Sequence, residues 1–87
     1  MTMSELLDEV ISVEGVHVRL KTMAEGMVII FWKGHSPIAH VYENADEYSL
    51  DYPKLYEMDL EDILHIDAVL YEYVNTDLEN RDRKSVV

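Results

Sequence analysis

The run Met27-Val-Ile-Ile-Phe-Trp32 constrains this chain more than any other stretch. It holds no polar residue, is rich in β-branched and aromatic side chains, and is bracketed by Gly26 and Gly34. Such a run reads as a strand covered on both faces, and it is far too short to span a bilayer. A covered strand needs neighbours, and the flanking sequence supplies them. Val16, Val18, Leu20 and Thr22 alternate with His17, Arg19 and Lys21, the pattern of a half-buried strand with one wet, basic face. Beyond the turn Lys33-Gly-His-Ser36, Pro37 opens a third strand over Ile38–Glu43, at the first position where proline is tolerated. With Met23-Ala-Glu-Gly26 as the other turn, the three strands form an antiparallel meander whose central member is the most buried.

Helical periodicity brackets this unit. Met3, Leu6, Leu7, Val10 and Ile11 fall on one face of a helix over residues 3–13. Thr2 and Glu5 have capping-box spacing, Ser4 is a competing N-cap, and Gly15 is the stop. A second helix begins at Asp59, with Asp62 at N3 and a staple between Met58 and Ile63. Its apolar face centres on Ile63, Ile66, Leu70 and Val74; Leu60, Leu64, Tyr71 and Tyr73 widen it to more than half the girth. Asp67 falls within that face and needs a partner. Of Tyr71 and Tyr73, two positions apart, one belongs to the core and the other is partly exposed. Asn75 ends the helix. Between the strands and this helix the reading divides. Tyr48, Leu50 and Tyr52 alternate as a fourth strand would, whereas Tyr52–Met58 with Pro53 in its first turn suits a short helix. The expected fold is therefore α+β, a three- or four-stranded antiparallel meander with an N-terminal and a C-terminal helix, order α-β-β-β-(β)-α. Residues 1–75 form a single domain, and 76–87 a flexible polar C-terminal tail.

Charge is uneven. Net charge is −11, and residues 43–80 hold twelve carboxylates and one base, Lys54. All six tyrosines lie between Tyr42 and Tyr73. Direct binding to nucleic acid or an anionic membrane is disfavoured, because phosphate is repelled. A basic protein surface is the natural complement. A hydrophobic fraction of 48% argues against disorder for most of the chain. Cysteine is absent, which removes disulfides, thiolate chemistry and Cys-based zinc and fits a reducing, cytoplasmic setting. The acidic N-terminus has no basic segment followed by an apolar one, so it does not read as a signal peptide.

No catalytic constellation emerges. His17, His35, His40 and His65 are scattered over two strands, a turn and a helix, without an HExxH pattern, so no metal is expected. Adjacent carboxylates such as Asp46/Glu47 and Glu61/Asp62 diverge in direction, and a glycosidase pair must face across a cleft. The three glycines sit at element boundaries and form no phosphate loop, and no serine has a nucleophile-elbow context. The chain reads as a non-enzyme without a cofactor. The tyrosines divide between core bulk and interface contacts. The carboxylates read as phosphate-like anions that occupy a basic nucleic-acid-binding surface of a partner. Candidate contacts are Asp46, Glu47, Asp51, Glu57, Glu61 and Asp62, with Tyr48 and Tyr52. The alternative is a structural or regulatory interaction module, a homodimer joined through Trp32, Tyr71 or the exposed sheet face.

The layout resembles the small acidic inhibitors encoded by phages and mobile elements, and is similar in size and order to certain anti-CRISPR proteins that block Cas9. The nearest local echo is SELLDEVISVEGVHVRLK, a short acidic helix running into a V-x-V-x-L strand. The resemblance implies that acidic side chains fill the basic groove in which the nuclease reads its PAM duplex. No motif matches position by position, so no family interface residue is carried over.

Overall fold

The computed structural model describes residues 1–24, 26–50, 52–77 and 81. Helix α1 (Met3–Ile11) leads into strands β1 (Val16–Met23), β2 (Gly26–Lys33), β3 (Ser36–Tyr42) and β4 (Tyr48–Ser49); a 3-10 helix (Pro53–Glu57) then precedes helix α2 (Leu60–Val74). The strands form one antiparallel sheet in the order β1-β2-β3-β4. The chain is thus α+β in the order α-β-β-β-β-α. Both readings of residues 48–58 hold in part: two residues pair as a fourth strand, and Pro53 then opens a five-residue 3-10 helix.

Local chemistry sets these boundaries. Thr2 Oγ1 accepts from the Glu5 amide at 3.2 Å, and the Thr2 amide donates to Glu5 Oε1 at 2.8 Å, completing the capping box of α1. Gly15, at φ 84°, turns the chain back towards β1, and a Cβ there would meet Lys33 Nζ at 3.0 Å. That ammonium donates to the Glu14 carbonyl and ties the turn to the β2–β3 hairpin. Gly34 supplies the left-handed φ of 64° required in the two-residue link between Lys33 and Ser36.

Both helices pack on one face of the sheet. Leu6 and Val10 of α1, Ile29 and Phe31 of β2, Ala39 and Val41 of β3, and Ile66, Val69, Leu70 and Tyr73 of α2 are buried in one cluster. A β-bulge between Phe31 and Trp32 leaves Ile38 without a cross-strand partner, and this extra residue is completely buried in the same cluster. Helix α2 runs antiparallel to α1: His65 Nε2 donates to the Glu9 carbonyl at 2.9 Å, and Met1 N donates to Thr76 Oγ1 at 3.1 Å.

Several expectations need correction. The face of the central strand away from the helices is covered only in part: Val28 is buried there, whereas Ile30 and Trp32 are half-buried. Leu20 is 50% exposed although it alternates with the core side of β1. A nine-residue helix is about 14 Å long, whereas an eight-residue strand runs about 26 Å, so α1 covers only the start of β1. Ile11, in the last turn of α1, is 44% exposed, at the margin of a face whose buried residues are Leu6 and Val10. Asp59 occupies the N-cap of α2 with extended backbone, but its side chain makes no capping bond. Leu60, Leu64 and Tyr71 face outward, while Val69 takes a place in the core. Tyr73 is buried and Tyr71 exposed, the division their spacing required.

Candidate functional site

The acidic half of the chain folds around two polar anchors. The first is Asp67, whose partner is Tyr48: the phenol donates to Asp67 Oδ1 at 2.6 Å. Tyr48 pairs with Val41, which turns it to the helix side of the sheet and brings its tip to α2. Burial, followed by the hydrogen bond to Asp67 and that carboxylate's charge, pushes the Tyr48 phenol up to about 12. The second anchor is Arg81. It is 4% exposed, and its guanidinium donates to the carbonyls of Thr76 (2.9 Å), Glu43 (3.0 Å), Ala45 (2.6 Å) and Val74 (2.7 Å). It also lies 4.9 Å over the Tyr73 ring. Arg81 thereby satisfies carbonyls at the end of α2 and fixes the loop after β3. Tyr73 Oη adds a donor to the Glu43 carbonyl at 3.3 Å.

Arg81 was missed in the sequence because it lies in a stretch without periodicity. In the sequence it shows only as a base beyond the end of an otherwise acidic helix, too far along the chain for the helix dipole to mark it. Residues 78–80 and 82–87, the rest of the expected flexible tail, lie outside the described residues, as does Asp51 among the candidate contacts.

The anchored loop presents Asp46 and Glu47, both exposed. With His40, Tyr42, Ala45, Tyr48 and Ser49 they line an open groove of about 320 Å³. Tyr48 and Tyr52 part company: Tyr48 reaches under α2, whereas Tyr52 Oη and His40 Nδ1 share a 2.6 Å hydrogen bond. His40 pairs with Ile30, so Tyr52 meets the face of the sheet away from the helices. Glu57 is bound to Lys54 at 3.1 Å, and Glu61 and Asp62 stand in the first turn of α2. The structure thus brings Asp46, Glu47 and Tyr48 to one groove, and leaves Glu57, Glu61 and Asp62 on separate elements.

A larger open cleft, about 620 Å³, lies between the helices and is lined by Met1, Glu5, Asp8, Glu9, Val69 and Glu72. Two of its carboxylates have local roles. Glu5 belongs to the capping box, and Glu9 Oε1 lies 3.6 Å from His65 Nε2. The open sheet face is different in kind. His17 stacks on Trp32 at 6.5 Å between centroids, the Arg19 guanidinium lies 5.4 Å over the same ring, and Lys21 continues the row. The buried Trp32 indole N–H meets no acceptor. Among the described strand residues this face has no carboxylate.

Among the described residues no group of three or more His, Asp or Glu could hold a metal ion, and no helix is long and apolar enough to cross a membrane. Neither a protein-family model, nor a curated protein, nor a solved structure matches the chain.

Proposed function

We propose that this chain is a non-enzymatic acidic binding protein whose carboxylates occupy a basic surface of a partner, in the manner of a nucleic-acid mimic. One observation carries the reading: among the described residues, the bases do not neutralise the acids. Arg19 lies on the Trp32 ring, Lys33 donates to a backbone carbonyl, and Arg81 donates to four carbonyls. Lys54 alone among the described lysines and arginines pairs with a carboxylate. None of the described carboxylates is buried, and most are exposed. Unscreened carboxylates repel one another and cost stability in a small domain; a cationic partner relieves that repulsion.

The loop groove suits such a partner. Asp46 and Glu47 supply charge and Tyr42 supplies an aromatic ring, the combination that holds a guanidinium or ammonium side chain. The resemblance to phage-encoded inhibitors extends the reading to an anti-defence role in the cytoplasm, against a nucleic-acid-binding protein. A homodimer through Trp32 or the open sheet face has less in its favour, since the protein's own His17 and Arg19 already cover that ring.

The test is binding of an arginine-rich peptide, followed by fluorescence anisotropy across a salt series. Affinity falls about tenfold or more between low and physiological salt if carboxylates carry the contact. Asp46→Asn with Glu47→Gln weakens it further. An affinity that stays flat with salt refutes the proposal.

A further inference from the structure

Helix α2 leaves an apolar stripe in solvent. Leu60, Leu64, Ala68 and Tyr71 follow one another at i, i+4, i+8 and i+11, so they lie along a single line of the helix. All four are exposed; Leu60 is 68%, Leu64 56% and Tyr71 63% accessible. The buried side of α2, around Ile66, Val69, Leu70 and Tyr73, is already engaged with the core. The stripe is therefore not a core face left over at an edge. It is a second apolar line on the same helix, and apolar stripes of this kind mark docking sites.

The borders of the stripe state what would cover it. On the helical wheel the exposed Glu61 and Glu72 flank it on one side, Asp67 on the other side is engaged with Tyr48, and α2 contains no lysine or arginine. Glu72 also belongs to the cleft lined by Glu5, Asp8 and Glu9, so the acidic border continues onto α1. A second copy of α2 would bring glutamates against glutamates. A segment with an apolar face and basic flanks would place its side chains on the leucines and its charges on the carboxylates.

We infer that the outward stripe Leu60-Leu64-Ala68-Tyr71 of α2 docks an amphipathic basic helix of a partner protein. The inference rests on the acidic-binding reading for the sign of the partner's charge. It goes beyond that reading by assigning affinity and specificity to an apolar contact on a different element from the loop groove. In physical terms, the leucines supply the buried contact and the carboxylate borders orient the incoming helix.

The experiment uses the full chain and two peptides of identical composition. One is a Leu–Lys peptide of about five helical turns with all leucines on one face; the other is a scramble with no apolar face. Calorimetric titrations are run on the natural chain and on Leu60→Ser with Leu64→Ser, whose thermal melt checks that the fold persists. The expected result is that the amphipathic peptide binds about tenfold or more tightly than the scramble, and that the double variant loses this preference while still binding both weakly. Equal affinity for the two peptides, or a preference that survives the double variant, overturns the docking site. Salt-sensitive binding of the scramble in that case leaves the acidic reading standing, whereas absence of binding by either peptide removes both. Light scattering that shows a stable dimer of the natural chain, lost in the double variant, overturns the proposal in favour of a second copy as occupant.

Discussion

Removing Arg81 will destabilise the domain far more than removing an ordinary arginine near a chain end. Its four acceptors are carbonyls of Glu43, Ala45, Val74 and Thr76, and the side chain is 4% exposed. A typical hydrogen bond contributes about 0.5–1.5 kcal/mol net, and one to a charged group about 1.5–3 kcal/mol. The contact with Tyr73 adds about 0.5–1 kcal/mol. Three effects offset this. Water enters the vacated site and re-solvates some of the carbonyls, folding no longer strips the hydration of a guanidinium, and Glu43 keeps its bond from Tyr73 Oη. The net expectation for Arg81→Ala is a loss of about 2–4 kcal/mol. Against a total of about 4–13 kcal/mol for a chain of this length, that is a large fraction. It lowers the melting temperature by about 10 °C or more. Arg81→Lys loses about half as much, because one ammonium cannot reach carbonyls on both sides of the site. Urea titrations followed by far-ultraviolet circular dichroism measure both, with an unchanged m-value expected. The acceptors are neutral, so the difference persists at high salt, unlike that of a surface ion pair. A loss under about 0.5 kcal/mol would place Arg81 among ordinary surface residues and refute the anchor.

Tyr48→Phe removes the donor to Asp67 and leaves a half-buried carboxylate unpaired, at a cost of about 1–2 kcal/mol by urea titration. In the natural chain the Tyr48 phenol, pushed up to about 12, ionises later than an ordinary tyrosine. Its contribution is complete below about pH 10, the unfolded value, and is lost as pH rises towards about 12. Phenolate absorbance in the near ultraviolet should lose a late-titrating component in Tyr48→Phe; a titration unaltered by the variant contradicts this. Thr2→Ala breaks the capping box and costs about 1 kcal/mol, read from the same denaturation curves. Leu20→Thr, on the uncovered half of β1, changes stability by under about 0.5 kcal/mol, whereas Phe31→Ala costs about 3–5 kcal/mol.

These contrasts also show what the sequence could convey. Signals that act locally were readable: the Thr2–Glu5 box, the glycine-bounded turns, and the alternation that separates β1 from the apolar β2. The need of Asp67 for a partner was readable too, though its identity as Tyr48 was not, because pairing across 19 residues depends on where β4 meets α2. In helix α2 the centre of the apolar face, Ile66, Leu70 and Val74, is readable from the period, but its width is not: packing adds Val69 and leaves Leu60, Leu64 and Tyr71 outside. Leu20 failed because alternation reports the face of a strand but not how far the helical layer extends. Arg81 was invisible to periodicity altogether, since its acceptors are backbone groups brought together only by the completed fold. In the candidate site, the composition pointed to the acidic loop, while the division of Tyr48 and Tyr52 between two faces required the register of β3 with β4.

The exposed edge strand β1 has a consequence for behaviour in concentrated solution. Eight residues long and unpaired on its outer side, it is a template on which another chain can add a strand and begin to aggregate. Its His17, Arg19 and Lys21 guard against self-templating. In any two-fold antiparallel pairing of two β1 strands that keeps both helical layers on one side, residues of like parity stand opposite. Arg19 then faces Arg19 or Lys21 of the second molecule in the central registers, and like charges oppose each other across the new ladder. A chain whose net charge is strongly negative thus keeps its vulnerable edge positive. Replacing Arg19 and Lys21 with threonine would remove that protection, although the variant would be more acidic than the original.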